Sequence, residues 1–240
     1  MKLGEVFISE FFQGPTGRGQ GGWTASRFAR FLSGPQTIAL KAPIPLNQTL
    51  DVNLMDSGAE LLEAKTGQII MQARPWTPKF PRTTSIPIPE AVLAKEGFLF
   101  RDKKHPVPNC FSCGLEEHAM GVHPGPLYDG RVAVDWSVPK WAVSKDGKID
   151  DGCLWAALDC ASGFYVASDG GVRLSFTAQY AVNIIQPLQE DETYALIAWE
   201  GEGPAHWEGR KRNAAAVAFD SKGELVGQAV SFWIAAKEQD

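Results

Sequence analysis

One carboxylate stands alone in an apolar run. From Cys153 to Ala167 the polar side chains are Asp159, Ser162 and the hydroxyl of Tyr165, and the rest are apolar or glycine. A helix apolar on nearly every side is buried. A carboxylate inside it costs several kcal/mol unless paired or protonated, and desolvation raises its pKa. Asp159 therefore either reaches a wet edge or a neighbouring backbone N–H, or serves as an acid or base, because perturbed carboxylates gather at functional sites. A second cluster, Cys110-x2-Cys113-x4-His118-x4-His123, has the ligand types and short spacings of a zinc knuckle. Gly17-x-Gly19-x-x-Gly22 matches the dinucleotide fingerprint formally, but the next strand-like segment, Thr37–Ala42, holds only Lys41 where an acid should meet the ribose. Glycine there more simply frees a turn before a helix. Gly209-Arg210-Lys211-Arg212 is the densest basic cluster of its half, suited to phosphates or to a solvated strand end. Cys153 and Cys160 have no recognisable base beside them and read as small buried hydrophobes.

The elements that must position these residues follow one order twice. A Gly-rich turn, Gly17 to Gly22, leads into a helix-like run, Trp23–Leu32, then into strand-like segments Thr37–Ala42, Thr49–Met55, Ala59–Ala64 and Gln68–Ala73. Asp150-Asp151-Gly152 leads into the run Cys153–Ala167, then into Val172–Ile185, Thr193–Glu200, Asn213–Asp220 and Leu225–Ala235. Pro45-Leu46 precedes a strand as Pro187-Leu188 does. Lys65-Thr66-Gly67-Gln68 turns between strands as Ser221-Lys222-Gly223-Glu224 does. Between the halves, Pro75, Pro78, Pro81, Pro87 and Pro89 deny any regular element a continuous path, which predicts a linker. One helix followed by a meander of long antiparallel strands predicts an α+β unit in which a curved sheet wraps a central helix. The expected division is 1–75, a linker over 76–104, and 105–240.

Composition bounds the function. The 240 residues carry 44% hydrophobic and 21% charged side chains, an ordinary globular balance. No apolar run is long enough to cross a bilayer, and Met1–Glu10 lacks the basic start and apolar core of a secretory signal, so a cytoplasmic protein is expected without a membrane partner. Four cysteines in such a chain are expected as thiols or ligands rather than as a disulfide framework. The net charge of −5 opposes a nucleic-acid partner. It is uneven: residues 1–100 hold 10 Lys+Arg and 8 Asp+Glu, leaving 13 and 20 for the remainder.

Three stretches resemble the hotdog-fold thioesterases, specifically the phenylacetate-pathway type of acyl-CoA thioesterase in tandem arrangement. Cys110-Phe111-Ser112-Cys113-Gly114 with Gly121-Val122 resembles the family's opening Cys-Phe-x-Cys-Gly segment. Asp150 to Asp159 is similar to its His-Gly-Gly segment, in which an Asp follows the second Gly by seven. Thr177 to Thr193, with Pro187 inside, resembles the strand, Pro and strand that follow. The resemblance spans roughly 105–236. Over 1–75 it rests on Gly21-Gly22-Trp23 and the strand order. Here Asp150-Asp151-Gly152 stands in place of His-Gly-Gly, so Asp151 adds a side chain beside the expected carbonyl site.

The resemblance implies a double hotdog, each unit a long central helix wrapped by a curved antiparallel sheet, that hydrolyses an acyl-CoA or related thioester with no cofactor. The helix start after Gly152 would bind the thioester oxygen. Asp159 would activate water or attack directly, and Thr177 would orient the water. Ala29 stands seven after Gly22, where the first unit would carry its acid, which implies one site per chain with the first unit as pocket wall. Arg210, Lys211 and Arg212 would meet coenzyme A phosphates. The resembled family has Asn where His118 stands, so the Cys110, Cys113, His118 and His123 cluster is expected to be a packed turn rather than a metal site. A dehydratase would want a His near the acid, and His105, His118, His123 and His206 all lie outside 124–205. The rival from another class is a module that binds acyl thioesters without cleaving them. Homo-oligomers are possible through exposed sheet edges.

Overall fold

The computed structural model describes residues 1–76, 78–100, 105–169, 174–202 and 209–236. His206 and parts of the expected linker and of the Val172–Ile185 segment lie outside the described residues. In chain order the elements are β1 Lys2–Phe7, α1 Gly21–Ala29, β2 Gln36–Leu40, β3 Thr49–Met55, β4 Gly58–Glu63, β5 Ile69–Pro75, α2 Ile88–Glu96, β6 Gly125–Pro126, β7 Val132–Ser137, α3 Gly152–Asp169, β8 Ser175–Ile184, β9 Thr193–Glu200, β10 Lys211–Phe219 and β11 Leu225–Ala235.

All strands join one antiparallel sheet in the order β1-β3-β4-β5-β2-β8-β11-β10-β9-β7-β6. The centre is the short contact of β2 with β8, where Ile38 faces Tyr180 and Ala39 faces Gln179. Outward from that junction each half runs in the same sense: the strand after the helix, then the last strand of the half, then its predecessors, with the strand before the helix beyond them.

Helix α3 lies on one face of the sheet and α2 on the other. On β7, β9 and β10 the residues alternate between two apolar clusters: Val132, Val134, Leu196 and Ala216 belong to the α3 side, while Ala133, Ile197 and Val217 pack with Ala91 and Ala94 of α2. Strands buried on both faces read as unbroken apolar runs, as Tyr194–Trp199 and Ala214–Phe219 do. α1 and α3 cross antiparallel. A β-carbon at Gly22 would meet Trp155 and Asp159, whereas one at Gly152 would meet Ser26, Arg27 and Trp23. This crossing sets the composition of the site.

Two expectations are corrected. The first half has no long helix: α1 holds nine residues against eighteen in α3, because Gly34 with φ of 71° and Pro35 follow closely and end the run. The Pro-rich connection contains a helix, α2, with Pro87 as its N-cap and Pro89 in its first turn, where a missing N–H costs nothing. Among the described residues no helix is long and apolar enough to cross a membrane.

Candidate active site

Asp159 projects from the middle of α3 and is 3% exposed. Its Oδ2 accepts from the Gln20 side-chain amide at 2.7 Å and from the Gly22 backbone N–H at 3.0 Å, and its Oδ1 accepts from the Thr177 hydroxyl at 2.8 Å. Three donors hold one buried carboxylate, which is how such a group is kept in an apolar interior. Burial nonetheless dominates and pushes its pKa up to about 7, against the opposing hydrogen bonds of Thr177, Gly22 and Gln20.

The donors come from two directions. Thr177 sits on β8, which runs beside α3. Gln20 and Gly22 belong to the start of α1, 139 and 137 residues away in sequence. Gln20 is the N-cap of α1: its Oε1 accepts from Trp23 N–H at 2.6 Å, which turns its amide nitrogen toward Asp159. Gly21 is the first helical residue, and among the described residues its N–H has no acceptor. A β-carbon on Gly21 would lie 3.4 Å from Asp159 Oδ2 and 3.6 Å from Thr177 Oγ1. The first amide of α1 thus lacks an acceptor next to the carboxylate's own donor Gly22, and a side chain at Gly21 would enter the space beside Asp159 and Thr177.

This space opens into a cavity of about 600 Å³ at the β2–β8 junction. Leu40, Ile44, Val107, Phe176 and Ile234 form apolar walls, and Arg18, Lys41 and Arg210 also line it. Cys110, Cys113 and Cys160 border the same cavity. Hydrogen bonds from the Cys113 and Cys160 thiols, with the amides of Cys113 and Ser112, hold the Cys110 thiol well below its usual pKa.

The structure brings Asp159, Thr177 and Arg210 to this cavity but not Gly152 or Asp151. Gly152 is seven residues from Asp159 along α3, about 10 Å at 1.5 Å per residue. Its N–H donates to Asp150 Oδ1 at 2.8 Å. Asp150 pairs with Arg27 through both guanidinium nitrogens and with Arg30 at 3.0 Å. Although burial alone would raise it, these partners hold the Asp150 carboxyl below its usual pKa. Arg27 also lies 4.1 Å over the Trp23 ring. The start of α3 is thus capped and charge-neutralised by its own turn and by α1, and Asp151 lies at the surface beside it. Because the helices are antiparallel, the helix start that meets Asp159 is that of α1. Gly21-Gly22 was the visible signal for it.

Lys211 is exposed and away from the cavity, and Arg212 hydrogen-bonds the carbonyls of Gly209 and Lys211. His118 is exposed beside Phe11. The His123 Nε2 lies 3.1 and 3.0 Å from the carbonyls of Cys113 and Gly114, and its ring stacks on Phe98. The zinc-knuckle alternative over Cys110, Cys113, His118 and His123 is not assembled among the described residues, where the ligand atoms that lie together are the sulfurs of Cys110, Cys113 and Cys160. The Gly17–Gly22 turn is closed on itself and its neighbours, with the Gly17 N–H on Gln13 Oε1 and the Gly19 N–H on the Ile44 carbonyl, so these amides are not free for a pyrophosphate.

No protein-family model and no curated protein sequence matches the chain. Solved structures do. A protein provisionally named a thioesterase, from Novosphingobium aromaticivorans, superposes with a TM-score of 0.57 at 12% identity, covering 97% of this chain and 95% of the other. A protein provisionally named an oleoyl thioesterase, from Lactobacillus plantarum, gives 0.55 at 8% identity, covering 98% and 96%. A hypothetical thioesterase from Streptococcus pneumoniae, solved with coenzyme A, aligns at 19% identity with 49% of this chain and 87% of its own, with a TM-score of 0.41. The chain has the α+β hotdog fold and is similar to thioesterases of that fold.

Proposed function

We propose that this protein hydrolyses acyl-CoA or closely related thioesters at a composite site: the acid comes from α3 and the amide facing it from the start of α1. The observation that carries this reading is the buried Asp159 carboxylate held by the first turn of α1, where the Gly21 N–H has no acceptor among the described residues, both lining a largely apolar cavity of about 600 Å³. The acyl chain enters between Leu40, Ile44, Phe176 and Ile234, and its carbonyl oxygen turns to Gly21. That amide, at the positive end of α1, stabilises the charge that grows on the oxygen as the carbonyl carbon becomes tetrahedral. Asp159 takes a proton from the attacking water, or attacks itself and is freed by water in a second step. In either route the carbon–sulfur bond breaks and its electron pair leaves on sulfur. A thiol titrates near 8.5, so the thiolate leaves without an acid to help it.

In this reading Thr177 and Gln20 are positioning residues that fix the carboxylate. Arg18, Lys41 and Arg210 line the cavity and suit the phosphates of coenzyme A. The chain is read as two hotdog units, 1–75 and 105–240, joined over 76–104. The matching place in the first unit is Ala29, and the start of α3 is closed by Asp150 and Arg27, so one site remains per chain. The two whole-chain matches, to proteins named as thioesterases, agree with this reading.

The test is steady-state hydrolysis of acyl-CoAs of graded chain length, followed by loss of thioester absorbance, for wild type and Asp159→Asn. Asparagine is isosteric: its Oδ1 can accept from Gln20 and Gly22 while its amide donates to a reoriented Thr177 hydroxyl. The variant should fold, bind acyl-CoA and turn over about 100- to 10,000-fold more slowly. Equal inertness of both proteins, with binding retained, would instead support a thioester-binding module.

A further inference from the structure

Cys110, Cys113 and Cys160 are all buried, and their sulfurs lie within 4.8 Å of one another. The Cys110 and Cys160 sulfurs are 3.9 Å apart. Cys110 and Cys113 sit on a tight turn: the Gly114 N–H donates to the Cys110 carbonyl at 2.7 Å, and a β-carbon on Gly114 would collide with the carbonyls of Cys110 and Pro108. His123 braces the same turn through the Cys113 and Gly114 carbonyls. Cys160 arrives from α3, fifty residues on.

The Cys110–Cys160 spacing suits sulfurs that share one metal ion. Zinc–thiolate bonds of about 2.3 Å in a tetrahedron place the sulfurs roughly 3.8 Å apart, against 3.9 Å here for Cys110 and Cys160. A disulfide would need about 2.05 Å and would leave the third sulfur unused. Three soft ligands on two rigid elements, a Cys-x2-Cys turn and a buried helix, select a thiophilic divalent ion. All three border the cavity, so a fourth ligand would come from that side.

We propose that Cys110, Cys113 and Cys160 form a three-thiolate zinc site whose fourth coordination position faces the cavity. The site does not depend on the thioesterase reading. Protein purified under reductant should carry stoichiometric zinc. After chelation and addition of cobalt(II), it should show intense sulfur-to-metal charge-transfer bands and tetrahedral visible bands. Cys153→Ser, which removes a buried thiol of α3 outside the trio, should leave that spectrum unchanged. Cys113→Ser and Cys160→Ser should abolish or weaken it. Reduced wild type that takes up no cobalt would overturn the proposal, whatever the variants do. So would a Cys160→Ser variant with the wild-type spectrum, since the ligands would then be others. The readout uses no turnover, so an inert enzyme can still bind the metal and an active one can fail to.

Discussion

Adding one methyl group at Gly21 should silence the site and spare the fold, whereas the same change at Gly22 should destabilise the fold itself. The Gly21 backbone is outside the left-handed region, so alanine is allowed there. Its β-carbon would meet Leu40 Cδ2 at 3.2 Å, a movable methyl, then Asp159 Oδ2 at 3.4 Å and Thr177 Oγ1 at 3.6 Å. Alanine favours helix over glycine by up to about 1 kcal/mol. That offsets the small displacement of Leu40, so stability should hold within about 1 kcal/mol. The methyl, however, fills the space beside the carboxylate and the Thr177 hydroxyl. Displacing a thioester by about 1 Å costs on the order of 100-fold. At Gly22 the β-carbon would lie 2.6 Å from the Trp155 carbonyl oxygen and 2.7 Å from the Asp159 β-carbon. The α3 backbone would have to move, at about 1–3 kcal/mol or more. Thermal melts with kcat/KM for acyl-CoA hydrolysis on both variants read the contrast. A Gly21→Ala protein that melts and turns over like wild type would refute the idea that the thioester sits between Gly21 and Asp159.

Thr177→Val keeps a strand-favouring side chain but leaves Asp159 Oδ1 without its donor; it should lose about 1–3 kcal/mol of stability and slow turnover, with Thr177→Ser restoring both, by melts and steady-state rates. Arg210→Ala should raise KM for acyl-CoA much more than for the matching acyl-pantetheine ester, which lacks the nucleotide phosphates, and equal effects would remove Arg210 from phosphate binding. The Asp150 carboxyl titrates lower folded than unfolded, so its contribution is present above the ordinary carboxylate pKa and is lost as pH falls through its folded value. Asp150→Asn should therefore lower Tm at neutral pH, and the difference from wild type should shrink on acidification.

The strands after each helix were legible because β-branched and apolar residues dominate them, and α3 was legible as an apolar run that begins at Gly152. β1, Lys2–Phe7, was not, since a short strand with charges and a glycine carries little periodic signal. α2 was hidden because prolines that interrupt most elements are welcome in a first helical turn. Asp159 stood out from composition alone. Its partners did not, because the sequence shows a Gly-Gly turn and an acid but not that the two helices cross antiparallel. That crossing brings the start of α1 to the acid in place of the start of α3, with Gly21 standing 138 residues from Asp159 in sequence. The third sulfur was missed for the same reason: His118 and His123 were closer in sequence, but the fold turns Cys160 toward the Cys110–Cys113 turn.

A crystal structure with a non-hydrolysable acyl-CoA, the thioester sulfur bridged to a methylene ketone, asks where the carbonyl goes. The ketone oxygen should lie at hydrogen-bond distance from Gly21 N–H, with its carbon facing Asp159 and the acyl chain against Leu40 and Phe176. A carbonyl bound instead at the start of α3, beside Gly152 and Arg27, would contradict the composite site.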